Sequence, residues 1–233
     1  MVVSQRFVVV AALFITCLIT ANIIAVKLIT LGVGPVRLGG LELPAPLPAA
    51  IIIFPLSYII GDILTEVYGY RQARRVIWLG FLCNLIAVVA FWLAGLIPPF
   101  QPAVQDAYER ILGYTPRILV ASFAAYLVGE FANSFVLAKM KIRTKGRFLW
   151  ARTIGSTIIG QGLDASVFIA IAFGGEEPAA LIGGMILTHW LVKTGYEAVA
   201  TPLTYAVVNY LKRKEGIDTY DYDTDFNPLL VTR

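Results

Sequence analysis

Eight ionisable side chains lie inside long apolar runs of this chain. They are Lys27, Asp62, Glu66, Glu130, Asp164, His189, Lys193 and Glu197. A charged side chain at the centre of a membrane helix costs about 2.5–3.5 kcal/mol even on lenient insertion scales. We therefore expect these side chains to face a bundle interior, a partner or a water-filled cavity. Together they predict a polar path through an otherwise apolar protein.

Most of these residues recur at the spacing of one helix face. Residues three or four apart are neighbours on a helix surface. This spacing joins Asp62 to Glu66, Glu130 to Asn133 and Gln161 to Asp164, and it aligns His189, Lys193 and Glu197 in one stripe. Asn22 adds an amide five residues before Lys27. The pattern predicts that polar groups from several helices converge.

The buried acids outnumber the buried bases. Five carboxylates against two lysines leave an excess of three. The excess acids must be protonated, solvated or neutralised by a bound group, because an unpaired buried charge is costly. The bound species that this excess favours is a proton, a cation or a ligand with several hydrogen-bond donors.

Simpler roles stay open for some of these residues. Lys27 can extend to the outer interface, and Glu66 can pair with the arginines that follow it. Lys193 can be a counter-ion, and His189 can be an interior histidine. With Glu197, the last three are candidates for a proton path or for ion pairs. Tyr126 and Tyr196 lie deep enough in their runs to be candidates for stacking on a solute.

The elements that must position these groups are membrane helices. The chain has 233 residues, of which 58% are hydrophobic and 15% charged, and its mean hydropathy is +0.75. This composition excludes an ordinary soluble enzyme, a disordered chain and a disulfide-stapled secreted domain. Each run is long enough to cross a bilayer as a helix. The six predicted spans are Phe7–Leu31, Leu47–Tyr68, Val76–Ile97, Ile118–Ala138, Ile154–Phe173 and Leu181–Tyr210.

The predicted fold is an all-α polytopic membrane domain over residues 1–211. Faint likeness between its halves, such as Asp62 in span two and Asp164 in span five, suggests a 3+3 inverted repeat. Residues 212–233 form a cytoplasmic tail, and its acidic stretch 218–225 (DTYDYDTD) predicts disorder. That stretch lacks the glycine and terminal glutamate of a calcium-binding loop, and we expect no metal there.

Charges between the spans predict the orientation. One side of the membrane carries 14 Lys and Arg residues outside the spans, whereas the other carries 3 and the acidic pair Glu176 and Glu177. Positive loops stay in the cytoplasm, so both termini are expected there, in a cell (inner or plasma) membrane. The basic loop 139–152 is then a topology signal, and direct nucleic-acid binding is not needed to explain it.

Motifs of catalysis are missing from the sequence. It has no Walker A loop, no HExxH and no nucleophile elbow. We therefore expect no enzyme activity, no catalytic residues, no cofactor and no metal. Homo-oligomerisation is left open.

One long motif carries a family resemblance. Residues 54–69 (FPLSYIIGDILTEVYG), followed by 73–75 (ARR), resemble the hallmark of queuosine precursor transporters of the vitamin-uptake-transporter type. Residues 21–27 (ANIIAVK) and 155–164 (GSTIIGQGLD) fit the same family, as do the length and the six spans. The resemblance covers most of the chain.

The resemblance implies import of a purine-like solute, a 7-deazaguanine, for salvage into tRNA queuosine. Carboxylates can accept from the ring N–H and the amine of such a solute, and amides can read its carbonyl. The hypothesis assigns the donor edge to one or more of Asp62, Glu130 and Asp164. Auxiliary contacts fall to Asn22, Asn133 and Gln161.

Two other functions remain in view. A substrate-capturing subunit of an energy-coupling uptake complex would need a separate ATPase. A membrane structural or assembly protein would use its buried charges only as ion pairs, so that neutralising them would damage folding. Transport predicts normal abundance with lost uptake.

Overall fold

The computed structural model describes residues 4–30, 36–38, 41–43, 46–113, 116–175 and 178–230. Leu31 of the first predicted span, the acidic pair Glu176 and Glu177, and residues 231–233 lie outside the described residues. The helices are α1 (Gln5–Ile24), α2 (Phe54–Tyr68), α3 (Tyr70–Gly95), α4 (Pro102–Leu112), α5 (Pro116–Thr144), α6 (Leu149–Phe173) and α7 (Ala179–Glu215).

Six of these helices correspond to the six predicted spans. Within the described ranges, segments long and apolar enough to cross a membrane lie in four places. They are α1, α3, the described part of 102–144, which contains α4 and α5, and α6. The two other helices, α2 and α7, carry five of the eight ionisable residues of the predicted spans: Asp62, Glu66, His189, Lys193 and Glu197. The protein is an all-α polytopic membrane protein, as predicted. The inverted repeat stays a prediction.

The connection between α1 and α2 differs from the prediction. It contains four short strands in two antiparallel pairs, β1 (Leu28–Thr30) with β4 (Pro46–Pro48) and β2 (Val36–Leu38) with β3 (Leu41–Leu43). A 3₁₀ turn, Ala49–Ile52, leads into α2. The second helix therefore begins seven residues later than predicted, because the prolines of β4 lack the N–H groups that a helix interior needs.

Helix α2 is the centre of the bundle and contacts α1, α3, α5 and α7. Of its 15 residues, 13 are buried, so it has no lipid-facing stripe. The surrounding helices expose large apolar side chains instead, for example Val8 and Leu13 on α1 and Leu82 and Ile86 on α3. Such an outward apolar surface suits contact with lipid chains.

Helices α5 and α6 approach each other closely at Gly160. A Cβ at this position would lie 2.7 Å from the Cβ of Asn133 and 3.0 Å from the carbonyl oxygen of Gly129. Only a residue without a side chain permits this spacing, which brings the polar residues of the two helices together.

The C-terminal segment 216–230 differs from the disordered tail that its composition predicts. The carboxylate of Asp221 accepts the backbone N–H of Tyr70 at 3.0 and 3.1 Å, at the first residue of α3. Arg74 donates to the carbonyl oxygens of Asp225 and Asn227 at 2.8 and 2.7 Å. The segment is held by these long-range contacts, which composition alone does not reveal.

Candidate functional site

A cavity of about 130 Å³ lies in the half of the bundle away from the chain termini. The last turns of α1, the start of α2 and parts of α3, α5, α6 and α7 surround it. Its lining is mostly apolar, and its polar members are Asn22, Asn84, Ser122, Asp164, His189 and Lys193. An apolar wall with a few placed polar groups is typical of small-molecule sites.

Asp164 and Lys193 form an ion pair at the cavity wall. The Lys193 Nζ donates to Asp164 Oδ2 at 2.6 Å, and the two side chains are 12% and 7% exposed. The ammonium also lies 4.2 Å from the centre of the Phe54 ring, a cation–π contact. Helices α6 and α7 thus present a carboxylate whose charge is balanced and whose surroundings are largely dry.

Amide and imidazole groups complete the polar lining. The Asn22 Nδ2 donates to Asn84 Oδ1 at 3.0 Å, which joins α1 to α3. The His189 Nδ1 lies 3.0 Å from the carbonyl oxygen of Met185. Because a carbonyl only accepts, Nδ1 carries a hydrogen, and Nε2 is the acceptor of the neutral ring.

Three aromatic residues take part in the cavity lining. Phe54, Tyr126 and Phe168 line it, and the Tyr126 hydroxyl is engaged with the Ile77 carbonyl at 2.8 Å, so the ring is held in place. The second stacking candidate, Tyr196, is 41% exposed and lies outside the lining. It faces outward with Val199, three residues further along α7.

Three other predicted acids lie together below the cavity, and we call Asp62, Glu130 and Glu197 the acid layer. Each is at most 1% exposed, and none lines the cavity. Asn133 donates to Asp62 Oδ1 at 2.7 Å. Among the described residues, no donor forms a hydrogen bond to Asp62 Oδ2 or to either carboxylate oxygen of Glu130 and Glu197.

Polar neighbours surround the acid layer without neutralising it. The carboxyl group of Glu197 lies beside the carboxyl group of Asp62 and beside the Thr157 hydroxyl. Gln161 is 1% exposed, and within the described part of the chain its Oε1 has no hydrogen-bond partner. The structure thus brings Asn133 to the acid layer rather than to the cavity, and Gln161 is buried outside the cavity lining.

Glu66 belongs to a separate cluster near the chain termini, and we call Glu66, Arg152, Lys141 and Lys212 the Glu66 hub. Arg152 donates to both oxygens of the Glu66 carboxylate at 2.7 and 3.0 Å. Lys212 contacts Glu66 Oε1 at 2.6 Å, and Lys141 lies 3.5 Å from it. Glu66 is therefore in a multiple ion pair, with bases from other helices rather than with the arginines that follow it.

The tail residue Asp218 extends this cluster. It accepts from Lys141 at 2.6 Å and lies 2.8 Å from Lys212. Partial burial raises the pKa of Asp218, but the hydrogen bonds from the two lysines outweigh this and hold its pKa below the ordinary value. The tail carboxylate is thus stabilised in its charged form.

Four helices carry these groups in one order. On each helix, the residues below are given in order from the cavity, through the depth of the acid layer, to the Glu66 hub. They are Phe54, Asp62 and Glu66 on α2; Tyr126, Glu130 and Lys141 on α5; Asp164, Gln161 and Arg152 on α6; and Lys193, Glu197 and Lys212 on α7. Successive residues rise about 1.5 Å along a helix, so Tyr126 and Glu130 are about 6 Å apart in depth. The acid layer therefore lies between the cavity and the Glu66 hub.

Some residues of the site lie outside the sequence prediction. Asn84 is an amide inside an apolar run, the same signal that identified Asn22, but it has no ionisable neighbour on its helix face. Arg152 and Lys212 belong to the basic segments that predict the orientation in the membrane, and nothing in the sequence indicates that they also pair with Glu66. Lys27 is exposed, in keeping with an interfacial lysine.

A multi-pass helical membrane protein with a polar cavity inside its bundle has the architecture of a solute transporter. Residues 48–207 match the family model described as “Putative vitamin uptake transporter”. This match spans more than half of the chain, and the protein belongs to the vitamin uptake transporter family. No solved structure matches it.

Three curated relatives carry more specific names. A “Probable queuosine precursor transporter” of Bacillus subtilis is 29% identical over 169 residues, which cover 70% of this chain and 72% of the relative. The “Queuosine precursor transporter” of Escherichia coli is 25% identical over 138 residues, or 59% and 58% of the two chains. A relative from Haemophilus influenzae, also named a probable queuosine precursor transporter, is 25% identical over 125 residues, 52% and 50%.

Proposed function

We propose that this protein imports a 7-deazaguanine queuosine precursor across the cell membrane for salvage into tRNA queuosine. The names of the three relatives support this substrate class. The observation that carries the proposal is the composition of the cavity. It combines one carboxylate, two amides and three aromatic rings.

The groups of a 7-deazaguanine match this lining. Its ring N–H and exocyclic amine are adjacent donors, and the Asp164 carboxylate can accept both. Its carbonyl is an acceptor for the amide of Asn22 or Asn84. The flat bicycle can lie against the rings of Tyr126 and Phe168, which supply apolar area.

Both termini are proposed to lie in the cytoplasm. The Glu66 hub, with its buried bases and the tail, would then be at the cytoplasmic end, and the cavity would be nearer the outer side. The excess of Lys and Arg in the loops at the terminal end supports this orientation. Labelling of a cysteine placed in the loop 145–148 by an impermeant reagent from outside would contradict it.

A salvage assay tests the substrate. Cells that cannot make deazaguanine precursors would express this chain and receive nanomolar 7-cyano- or 7-aminomethyl-7-deazaguanine, and tRNA queuosine would be measured. We expect queuosine to appear with the wild type and to fall about 10- to 100-fold with Asp164→Asn, because a hydrogen-bonded charge contributes about 1.5–3 kcal/mol. Asp106→Asn, on the exposed helix α4, is the matched control and should retain full salvage.

Removal of Asp164 alone leaves Lys193 without its carboxylate. The double variant Asp164→Asn, Lys193→Gln removes both charges and should be inserted at normal abundance while still failing in salvage. If queuosine does not rise with abundant wild-type protein, the substrate assignment is wrong. If both variants lose abundance rather than uptake, the buried charges have a structural role.

Purified protein in liposomes separates transport by this chain from capture for an ATPase complex. Uptake of the labelled precursor by the chain alone would exclude a strict need for a second module. Uptake only after addition of an ATPase module would favour the substrate-capturing subunit. The same preparation, analysed by light scattering, gives the oligomeric state.

A further inference from the structure

In the described part of the chain, the acid layer holds three carboxyl groups that no base neutralises. Of the five buried acids inside the predicted spans, Glu66 is paired in its hub and Asp164 with Lys193. Asp62, Glu130 and Glu197 remain, and Lys193 is the base next to them in the described part of the chain. The excess of three that the sequence predicts is thus located in one layer of the bundle.

Buried carboxyl groups without a cation are stable only when they are neutral. Three charges placed together in a dry interior would repel one another and lose their hydration. Asp62 and Glu197 are side by side, and the amide of Asn133 holds one oxygen of Asp62. Adjacent carboxyl groups share a site stably when at least one carries a proton that the other accepts.

The groups facing the acid layer are the following. Asp62 interacts with Glu197 and Glu130. Glu130 interacts with Asp164, Glu197 and Lys193. The Tyr58 hydroxyl lies near Glu130, Glu197, Asp164 and Tyr126. His189 interacts with Lys193 and Asp164 at the cavity, on the other side of that ion pair. Lys193 is the base in this set that interacts electrostatically with the acid layer, and its ammonium is already paired with Asp164.

We propose that Asp62 and Glu197, supported by Glu130, form the proton-binding site that couples solute uptake to a proton gradient. This proposal rests on the proposed function, since it needs a transported solute. It assigns the solute to the cavity and the proton to the layer beneath it. Each uptake cycle would carry one proton from the outer side, bound as a carboxyl O–H, and release it to water at the terminal end.

Lys193 connects the two sites. A solute whose donors bind to Asp164 competes with the ammonium of Lys193 for the same carboxylate. Lys193 is one helical turn from Glu197 on α7 and already lies near Glu130. Once the bundle opens toward the terminal end with the solute still bound, a released ammonium that turns toward these acids compensates a carboxylate there, so that the carboxyl O–H breaks and its proton leaves on that side.

Proteoliposomes with an internal pH dye test this coupling. The probe is labelled 7-cyano-7-deazaguanine, with the outside at pH 6.5 and the inside at pH 7.5. A gradient of one pH unit can accumulate a neutral solute roughly tenfold for one proton. We expect accumulation approaching this factor and acidification of the lumen when the solute is added. A sodium gradient at equal pH should give equilibration only.

Glu197→Gln is the central variant, because it keeps the shape of the side chain and removes its proton exchange. It should exchange internal for external solute in counterflow and fail to accumulate solute or to acidify the lumen. Glu197→Asp restores a carboxyl group and should recover part of the accumulation. Asp106→Asn should behave as the wild type.

The outcomes separate the two proposals. Absence of any solute entry with wild-type protein overturns the proposed function. Solute entry that ignores the pH gradient and leaves the lumen pH unchanged overturns proton coupling and leaves transport intact, and this readout needs no variant. Accumulation by Glu197→Gln at the wild-type level, or accumulation driven by sodium instead, also overturns the proton site.

Discussion

The substitution Glu66→Gln tests how strongly the Glu66 hub holds the bundle together. The carboxylate is fully buried and forms ion pairs with Arg152 and Lys141, each 1% exposed, and with Lys212, which is 20% exposed. Removal of one partner from a buried ion pair costs about 3–5 kcal/mol, because an uncompensated charge stays behind. The lower end applies here, since Lys141 keeps Asp218 and two backbone carbonyls as partners.

A loss of about 3 kcal/mol lowers the Tm of a protein of this size by roughly 6–12 °C. The assay is thermal unfolding of the purified protein in detergent, followed by tryptophan fluorescence. Glu215→Gln is the matched control, because Glu215 pairs with Arg6, whose side chain is 46% exposed. Exposed pairs contribute at most about 1 kcal/mol. A Tm shift for Glu66→Gln no larger than that of the control would refute this account of the hub.

Three further outcomes follow from local geometry. Gly160→Ala should destabilise the protein by about 1–3 kcal/mol in the same thermal assay, because the new methyl group overlaps α5; Gly183→Ala, with nothing within 4 Å, is its control. Asp221→Ala removes the cap from the start of α3 and should expose the tail, seen as faster carboxypeptidase digestion, at a cost of about 0.5–2 kcal/mol; Asp223→Ala, an exposed neighbour, should change digestion little. The pKa of Asp218 is held below its ordinary 3.8, so its contribution to tail docking is present above that pH and is lost as the pH falls through the lower folded value. The difference in tail protection between wild type and Asp218→Asn should accordingly shrink toward zero as the pH falls below about 4, and a difference that grows on acidification would contradict the linkage.

Much of the fold follows from hydropathy, which is a local property of the chain. Each of the six predicted spans has a helix, and the acids near the midplane are buried as their cost in lipid requires. The predicted excess of three acids agrees with the structure. Of the two lysines counted against the acids, Lys193 pairs with Asp164 but Lys27 does not pair with Glu66. Lys27 is exposed, and the bases of the Glu66 hub come from the ends of other helices.

The remainder depends on contacts between distant parts of the chain. Asp221 and Tyr70 are 151 residues apart, and composition predicts disorder for a stretch that contains four aspartates. Phe226 of the same tail packs on Tyr70 and Phe135, which offsets the loss of chain entropy. Likewise, no local signal indicates that Asp62 faces Glu197 or that Tyr196 faces away from the cavity.

A glutamate-to-glutamine substitution in the acid layer is expected to leave the Tm nearly unchanged, whereas in the Glu66 hub it is expected to lower the Tm. This contrast distinguishes transport from a purely structural role. Glu130 is as buried as Glu66, with 1% and 0% exposure, but among the described residues neither of its oxygens has a hydrogen-bond partner. A structural bundle gains nothing from such a group, because an unpaired buried polar atom costs about 1–3 kcal/mol.

If Glu130 is retained for transport, Glu130→Gln removes a proton site without breaking an ion pair. We expect its Tm to stay within about 2 °C of the wild type or to rise, because less than 1 kcal/mol of stabilisation is lost. Uptake should nevertheless fail at normal abundance. A fall of 6–12 °C, equal to that expected for Glu66→Gln, would show that Glu130 is part of the structural framework and would favour an assembly protein over a transporter.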